Sequence, residues 1–222
     1  SANTVGAQLV GAQPQTGGLN AGQMLSGTGL KAVVLLNVEP ELDAANPATA
    51  RAALAGAEMV VAMSAFKTAA MDYADVLLPV APFSETSGTF VNAEGRAQSF
   101  HGVVKPLGDT RPAWKVLRVL GNLLSVDGFD FETSEEVRSR ALGDIAALSA
   151  RLNNQTQAAV AFAGQTGGLE RLADVPIYSA DALVRRAESL QQTADATAPV
   201  ASLPQALWAE LGLSEGAQVK VS

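Results

Sequence analysis

Side chains able to do acid–base or binding chemistry are concentrated in one polar stretch, ETSGTFVNAEGRAQ, which begins at Glu85. Glu85 and Glu94 have the chemistry of a general acid and base pair. The guanidinium of Arg96 matches a phosphate or carboxylate, and the side-chain amide of Asn92 is both a donor and an acceptor. Three interpretations are therefore open: a catalytic loop, a cofactor cradle, or a turn that serves folding alone.

The same stretch also has the pattern of a β-hairpin. Two short predicted strands, GTFVN and RAQSF, are joined by Ala93, Glu94 and Gly95. Gly95 can adopt a positive φ angle at low cost, which such a turn requires. Nothing in the sequence places Glu85 and Glu94 on one substrate, so the acid–base interpretation is the weakest of the three.

Three apolar runs upstream predict the elements that position this stretch. KAVVLLNVEP, EMVVAMSA and DVLLPV are predicted strands, and the helical segments NPATARAALAGA and FKTAAMDYA separate them. Asn46 is the predicted cap of the first helix and Pro47 its first residue. Short strand–helix–strand connections predict an α/β fold with an open parallel sheet and flanking helices. The continuous run at Val33–Leu36 is typical of a strand buried on both faces.

Ligands of open parallel sheets bind at the carboxyl ends of the strands. In the predicted sheet these ends are Asn37–Glu39, Met63–Ser64 and Pro79–Glu85. The polar stretch therefore begins at the edge where a ligand is expected.

Residues beyond the polar stretch predict further helices. GDTRPAWKVLRVLGNLL has Thr110 as its predicted cap and Trp114 facing the core, and TSEEVRSRALGDIAALSARL carries a predicted capping box. YSADALVRRAESLQQTADA and LPQALWAELGL are also predicted helices, and SEGAQVKVS is a turn followed by a strand. We divide the chain into an α/β domain (1–125), a helical and loop segment (126–176), and linker helices with the start of a β domain (177–222). The glycine-rich segment 164–168 is a predicted loop, and both ends of the chain suggest a piece of a longer polypeptide.

Composition excludes several classes of function. The chain has 222 residues, a net charge of -7, no cysteine and one histidine, His101. An acidic chain repels nucleic acid, and no apolar run approaches the roughly 18 residues of a membrane span. Without cysteine the chain holds neither disulfides nor thiolate-ligated clusters, and one histidine makes no histidine-rich zinc site. Neither a G-x-S-x-G elbow nor a G-x-G-x-x-G loop occurs, so we interpret His101 as a polar residue at a strand end and consider dinucleotide binding a weak alternative.

The motif ADVLLPVAPFSETSGTFVNAEGRAQ, followed by GDTRPAWKVL, resembles the molybdopterin oxidoreductase superfamily. In that superfamily an AD-x-x-LP strand precedes an E-x-x-GT-x-x-N-x-EGR stretch and then a helix that starts with RP-x-W. The resemblance covers roughly Lys31 to Leu124. Within the superfamily, NTVGAQLVGAQP, LLNVEPELD and VPIYSADALVRRAESLQQT are similar to the large iron–sulfur subunit of bacterial NADH:quinone oxidoreductase, complex I. LWAELGLSEGAQVKV resembles the start of the superfamily's C-terminal β-barrel domain.

This resemblance implies a domain like those of formate dehydrogenase and DMSO reductase. The family's pterin-site motif falls on Glu85, Gly88, Asn92 and Arg96, which we interpret as a vestigial cofactor-binding site. In this interpretation Glu85 or Glu94 pairs with Arg96, and Asn92 satisfies backbone groups of the turn. Glu39 places negative charge where an anionic cofactor would approach, so a molybdopterin is not expected. The iron–sulfur clusters of such a subunit lie in its N-terminal part. We therefore assign no catalytic residue and no metal ligand to this chain.

The role implied is that of a scaffold in the peripheral arm of complex I, which passes electrons from NADH through iron–sulfur clusters to quinone with coupled proton translocation. Its implied partners are the other peripheral-arm subunits and the N-terminal iron–sulfur part of the same polypeptide, with no nucleic acid and no membrane span. The implied location is the cytoplasmic face of the bacterial inner membrane. The alternative is the cofactor-binding half of a molybdopterin-dependent oxidoreductase of the formate dehydrogenase or nitrate reductase type.

Overall fold

A computed structural model describes residues 3–27, 29–153, 174–196 and 200–219, together with the single positions 155, 159, 168 and 172. The chain divides into two compact units, Ser1–Thr166 and Gly167–Ser222. The domain boundaries expected from the sequence stay predictions. In the described part of the chain, no helix is both long enough and apolar enough to cross a bilayer.

The first unit contains a three-stranded parallel sheet in the order β1–β2–β3. Ala32 pairs with Met59, and Val61 pairs with Val76. The predicted α/β fold with a parallel sheet and flanking helices is confirmed. The strands, including the two of a separate antiparallel hairpin, are β1 (Ala32–Leu36), β2 (Met59–Ser64), β3 (Val76–Pro79), β4 (Gly88–Val91) and β5 (Ala97–Phe100).

Helices begin close to the predicted caps in most places. The Asn46 side chain accepts a hydrogen bond from the Thr49 N–H at 3.1 Å, and Pro47 is the first helical residue, as predicted. The helices of the first unit are α1 (Thr4–Leu9), α2 (Ala21–Ser26), α3 (Pro40–Asp43), α4 (Pro47–Ala55), α5 (Ala113–Leu123) and α6 (Ser134–Leu142), and its 3-10 turns are Ala69–Asp72, Phe83–Glu85 and Ile145–Arg151.

Helix α4 packs on one face of the parallel sheet. Its Leu54 forms a buried cluster with Leu35 of β1 and Val60 of β2. The prediction that β1 is buried on both faces is wrong, because Val34 on the opposite face is 49% exposed and Leu36 is also exposed. Both faces of β1 are therefore apolar, and α4 covers one of them.

Two further helix predictions need correction. Pro112, not Thr110, is the N-cap of α5, and the Thr110 hydroxyl instead donates to the Leu107 carbonyl. Trp114 is partly exposed rather than buried in the core. The ring of Pro112 disfavours helical backbone at Arg111 before it, so the helix does not extend back to Thr110.

The segment after Thr133 forms a shorter helix than predicted. Thr133 caps α6 by accepting from the Glu136 N–H, but the Glu136 carboxylate accepts from the Glu132 N–H, so the capping box is incomplete. Gly143, with φ of 68°, ends the helix, and a 3-10 helix follows at Ile145–Arg151. A left-handed glycine is a common helix terminator, and it interrupts the predicted apolar stripe.

In the described residues of the second unit, four short helical pieces stand where the sequence predicted one helix over YSADALVRRAESLQQTADA. They are the 3-10 turns Ile177–Ser179 and Ala194–Ala196 and the helices α7 (Ala182–Arg185) and α8 (Glu188–Gln191). The separately predicted helix in LPQALWAELGL is present as α9 (Gln205–Glu210). The predicted terminal strand falls largely on residues 220–222, and the predicted glycine-rich loop largely on 164–167. These positions lie outside the described residues.

Candidate functional site

The polar stretch forms the predicted hairpin. Strands β4 and β5 are antiparallel, with Gly88 opposite Phe100 and Val91 opposite Ala97. The Gly95 N–H donates to the Asn92 carbonyl at 3.0 Å, and the φ angle of Gly95 is 81°. This is a three-residue hairpin loop with glycine in the left-handed position.

Asn92 holds the hairpin turn with its side chain. Its Oδ1 accepts from the Glu94 N–H at 3.0 Å and from the Arg96 N–H at 2.9 Å. This is the role expected of Asn92 if the motif serves the fold. Because both acceptor positions of the amide oxygen are used locally, only its NH₂ group is available for a ligand.

Arg96 is exposed, and the predicted ion pair between Arg96 and either Glu85 or Glu94 is not found among the ion pairs of the described residues. The prediction of that pair is wrong. Glu85 lies beyond the open end of the hairpin, so the length of the hairpin separates it from Arg96. The guanidinium of Arg96 therefore stands at the tip of the hairpin, facing solvent.

Glu85 and Gly88 belong to the open end of the hairpin. Glu85 closes a 3-10 turn, and its Oε2 accepts from the Leu107 N–H at 3.0 Å. A Cβ on Gly88 would lie 2.7 Å from Cζ of Phe100, so glycine makes room for that ring. Phe100 forms a cluster with Phe83 and Phe90, with ring centroids 5.2 to 6.0 Å apart.

The four predicted cofactor-binding residues therefore fall at two ends of one hairpin. Gly88 and Val91 are three residue steps apart, which is about 10 Å along a strand. Glu85 and Gly88 lie at one end, and Asn92 and Arg96 at the other. The structure brings together each pair but not all four, and it separates Glu85 from Glu94, which argues against an acid–base pair.

Two residues that sequence reasoning missed join the segments in and around the hairpin: Asn3 binds the hairpin itself, and Arg151 binds segments that pack near it. Asn3 Oδ1 accepts from the Val91 N–H at 2.8 Å. The Arg151 guanidinium donates to the Leu142 carbonyl at 2.8 Å and to the Leu9 carbonyl. Both contacts join distant parts of the sequence, and no local pattern signals them.

The carboxyl edge of the parallel sheet carries an acidic residue and left-handed backbone. Asn37, just after β1, has φ of 51°, and its N–H donates to the Met63 carbonyl at 2.8 Å. Glu39 is only 7% exposed. The Ser64 hydroxyl at the end of β2 accepts from the Phe66 N–H. A partly desolvated carboxylate at this edge disfavours a phosphate-bearing ligand.

An open groove of about 800 Å³ lies beside the open end of the hairpin. Glu85, Lys105, Arg111 and Glu132 are among its lining residues, with the N-terminal turn of α6. Within it, the ammonium of Lys115 lies 5.3 Å from the Trp114 ring. Both carboxylates and cations line this groove, and sequence reasoning did not identify it because its walls come from four separate segments.

His101 lies in the same groove, directly after β5, as predicted for a polar residue at a strand end. Its Nδ1 is 3.8 Å from Glu135 Oε1, and both side chains are exposed. Hydrogen bonds from the Glu135 backbone N–H and from Ser134, and then the charge of His101, lower the pKa of Glu135. Glu135 is therefore ionised rather than a proton donor near neutral pH.

The four motif residues by themselves do not form a binding site for a pterin dinucleotide. The phosphates of that cofactor need clustered donors, whereas Arg96 is the one cation among the four and lies at the hairpin tip. The described residues also contain no group of three or more histidine, aspartate or glutamate side chains placed to hold a metal ion.

Comparison with known proteins gives one family and several relatives. The sequence model described as molybdopterin oxidoreductase matches residues 1–123. The chain is 42% identical over 77 residues to a protein of Staphylococcus aureus strain MRSA252 named "Putative formate dehydrogenase". It is 39% identical over 77 residues to a protein of the same name from strain USA300. Each of these matches covers 35% of this chain and 8% of the relative's length.

Proposed function

Because the chain belongs to the molybdopterin oxidoreductase family, we propose that it is a structural domain of an oxidoreductase whose redox centres lie outside residues 1–222. The observation that carries this proposal is the use of the motif residues by the chain itself. Asn92 Oδ1 accepts two backbone N–H groups, and Glu85 accepts the Leu107 N–H. Gly88 makes room for the Phe100 ring. These three motif residues therefore have folding roles that need no cofactor, and Arg96 is the fourth residue of the motif.

The finer assignment we propose is the large iron–sulfur subunit of bacterial complex I. The stretches NTVGAQLVGAQP, LLNVEPELD and VPIYSADALVRRAESLQQT support it, together with the buried Glu39 within the second of them. In this role the domain supports the iron–sulfur part of the same polypeptide and contacts other peripheral-arm subunits. The parent complex passes electrons from NADH to quinone at the cytoplasmic face of the membrane.

The second candidate is the cofactor-binding half of a molybdopterin-dependent oxidoreductase of the formate dehydrogenase type. The names of the two Staphylococcus aureus relatives favour it. In this role Arg96 is the motif residue that binds an anionic group, because the N–H donors of its exposed guanidinium are still available. The NH₂ group of Asn92 lies in the same turn.

A metal and pterin analysis of the full-length protein that carries this chain distinguishes the two candidates. Iron without molybdenum, tungsten or pterin is the result expected for the complex I subunit. Stoichiometric pterin with molybdenum or tungsten overturns that assignment and supports the formate dehydrogenase type. Absence of iron and pterin together overturns both, because each places redox centres in the parent protein.

A further inference from the structure

A second groove, of about 550 Å³, lies beside α5 in the first unit, and we call it the α5 groove. Its apolar walls come from β3, from α5 itself and from the segment between α5 and α6. Small-molecule sites are mostly apolar clefts of about 300 to 1,000 Å³ with a few polar groups, so the α5 groove has the size of such a site. Its apolar lining residues are Leu78, Val116, Val119, Leu120, Leu123 and Phe131.

The charged residues that line the α5 groove give it a positive charge. They are three cations and one carboxylate: Arg111, Lys115, Arg118 and Glu132. Arg118 pairs with Glu132 at 3.2 Å, so the carboxylate is already balanced. Arg111 donates to two backbone carbonyls, which carry no net charge, and Lys115 makes none of the ion pairs found in the described residues. Three cations against one carboxylate leave a net charge of +2 in the groove of a chain whose net charge is -7.

Two N–H donors on residues of the α5 groove lack an acceptor. Trp114 Nε1 and Arg118 Nε are buried, and neither has a hydrogen-bond partner among the described residues. Both residues line the groove, and they lie one turn apart on the same side of α5. A buried N–H without an acceptor is unfavourable. An anionic oxygen bound in the groove lies beside both residues and reaches these covered atoms after a shift of the surrounding side chains.

Charged and apolar residues of the α5 groove are separated along the helix. Lys115, Val119 and Leu123 are spaced four residues apart and so form one row. The cation stands at the N-terminal end of this row, and Leu123, which is 77% exposed, stands at the other end. At about 1.5 Å per residue the row is about 12 Å long. An extended chain of about ten carbons, with bonds of about 1.5 Å, has a similar length.

From this arrangement we propose that the α5 groove binds a medium-chain carboxylate, an unbranched apolar chain with one carboxylate at its end. The carboxylate lies among the three cations near the N-terminal end of α5, where guanidinium donors match its two oxygens. The apolar chain lies along Val119 and Leu123. Glu132 beside the cations repels a second negative charge, so a singly charged carboxylate fits better than a doubly charged phosphate.

Calorimetric titration with decanoate tests the proposal, on this chain and on the full-length protein that carries it. We expect a single site with a submillimolar dissociation constant, and binding should weaken as the ionic strength rises. Decanol and decyltrimethylammonium have the same apolar chain without the negative charge, and each should bind at least about tenfold more weakly. Equal binding of decanoate and decanol overturns the proposal, as does the absence of decanoate binding to either protein.

Two pairs of variants test where the ligand lies. Lys115→Gln should weaken decanoate binding about fivefold, because it removes one cation from the groove. Lys105→Gln is its matched control, since Lys105 is also exposed but does not line the α5 groove. Leu123→Ser should weaken binding about fivefold by removing apolar contact. Leu124→Ser is its matched control, because Leu124 is 65% exposed and does not line the groove.

Circular dichroism of each variant checks that the fold is kept. An equal loss of binding within either pair overturns the proposed position of the ligand, as does unchanged binding in both Lys115→Gln and Leu123→Ser. The result is independent of the metal and pterin content of the parent protein, so it can fail while the proposed function stands.

Discussion

The hairpin and the parallel sheet differ in how far they bury similar apolar residues. The hairpin residue Val91 is buried with Leu142 and Leu148, and Asn3 and Arg151 attach the surrounding segments to one another. The parallel sheet has one covered face and one open face, and Val34 lies on the open one. The hairpin is thus complete within residues 3–152, whereas the sheet leaves one apolar face exposed.

Because of this difference, what the family motif says about the fold has to be kept apart from what it says about function. The sequence predicted a cofactor site at residues of the hairpin, yet most polar groups of these residues form hydrogen bonds within the chain. The sequence predicted that the strands of the parallel sheet are buried, yet the face of the sheet that carries Val34 exposes apolar side chains. A family motif therefore identified the fold correctly, while its functional meaning depends on which groups the fold leaves available.

The largest effect is expected at the centre of the hairpin cluster. Leu148 is fully buried against Val91 and Leu142. Leu148→Ala should lower the free energy of unfolding by about 3 kcal/mol, because it removes buried methyl groups and leaves a cavity. Denaturant titration measures the change. Ile145→Ala, in the same 3-10 helix but partly exposed, is the matched control and should lose less than about 1.5 kcal/mol.

An equal loss at Ile145 and Leu148 would contradict the description of this cluster as a specific core. A small loss at Leu148 would mean that the hairpin is held by its ladder and turn alone. The comparison between hairpin and sheet would then rest on hydrogen bonds rather than on packing.

The next largest effect is expected at the hairpin turn. Asn92→Ala removes the acceptor of two backbone N–H groups and should cost about 1 to 2 kcal/mol of unfolding free energy. Asn92→Asp keeps an oxygen in that position and should retain most of the stability. Thermal unfolding of both variants against the parent chain gives the answer. If alanine and aspartate behave alike, Asn92 is not the brace of the turn, and a retained ligand role becomes the better explanation of the motif.

The sequence predicted the parallel sheet, the hairpin and the role of Asn92, because each depends on local signals. Strand runs, a glycine at the left-handed turn position and an Asn cap on α4 act over a few residues. Contacts such as that of Asn3 with Val91 span 88 positions, and no periodicity announces them. The groove beside His101 was missed for the same reason, since four separate segments build its walls.

The errors have equally physical causes. Thr110 was predicted as a cap, but α5 starts after Pro112, because the proline ring disfavours helical backbone at the residue before it. The pairing of Arg96 with Glu85 or Glu94 was inferred from the charges of the motif. Glu85 lies beyond the open end of the hairpin and Arg96 at its tip, so the strands separate these two residues. The prediction for β1 assumed that apolar side chains are buried. An apolar face can be buried, but its composition does not show that another element covers it.

A smaller effect is expected in the covered side of the sheet at alkaline pH. Burial, and then the nearby Glu41 carboxylate, raise the pKa of Tyr73 above its ordinary value. A raised pKa means that the folded state holds the phenolic proton more tightly than the unfolded state does. Stability should therefore be lost as the pH rises above about 10.

Tyr73→Phe removes this titration and should flatten the alkaline part of the stability profile. The measurement is the free energy of unfolding at several pH values above neutrality, in the parent chain and the variant. Parallel profiles would show that Tyr73 is not the titrating group. The cluster of Leu35, Leu54 and Val60, against which Tyr73 packs, would then be less dry than the hairpin cluster.

The smallest effect is expected at the hairpin tip, where Arg96 is exposed and makes none of the ion pairs found in the described residues. Arg96→Gln should change the free energy of unfolding by less than about 0.5 kcal/mol. Arg151→Gln is the matched comparison, since Arg151 donates to the carbonyls of Leu142 and Leu9, and it should lose about 1 to 2 kcal/mol. Equal losses would make Arg96 part of the fold. The expected contrast leaves the Arg96 guanidinium with no structural task in the described residues, so its donors stay available to a ligand or partner.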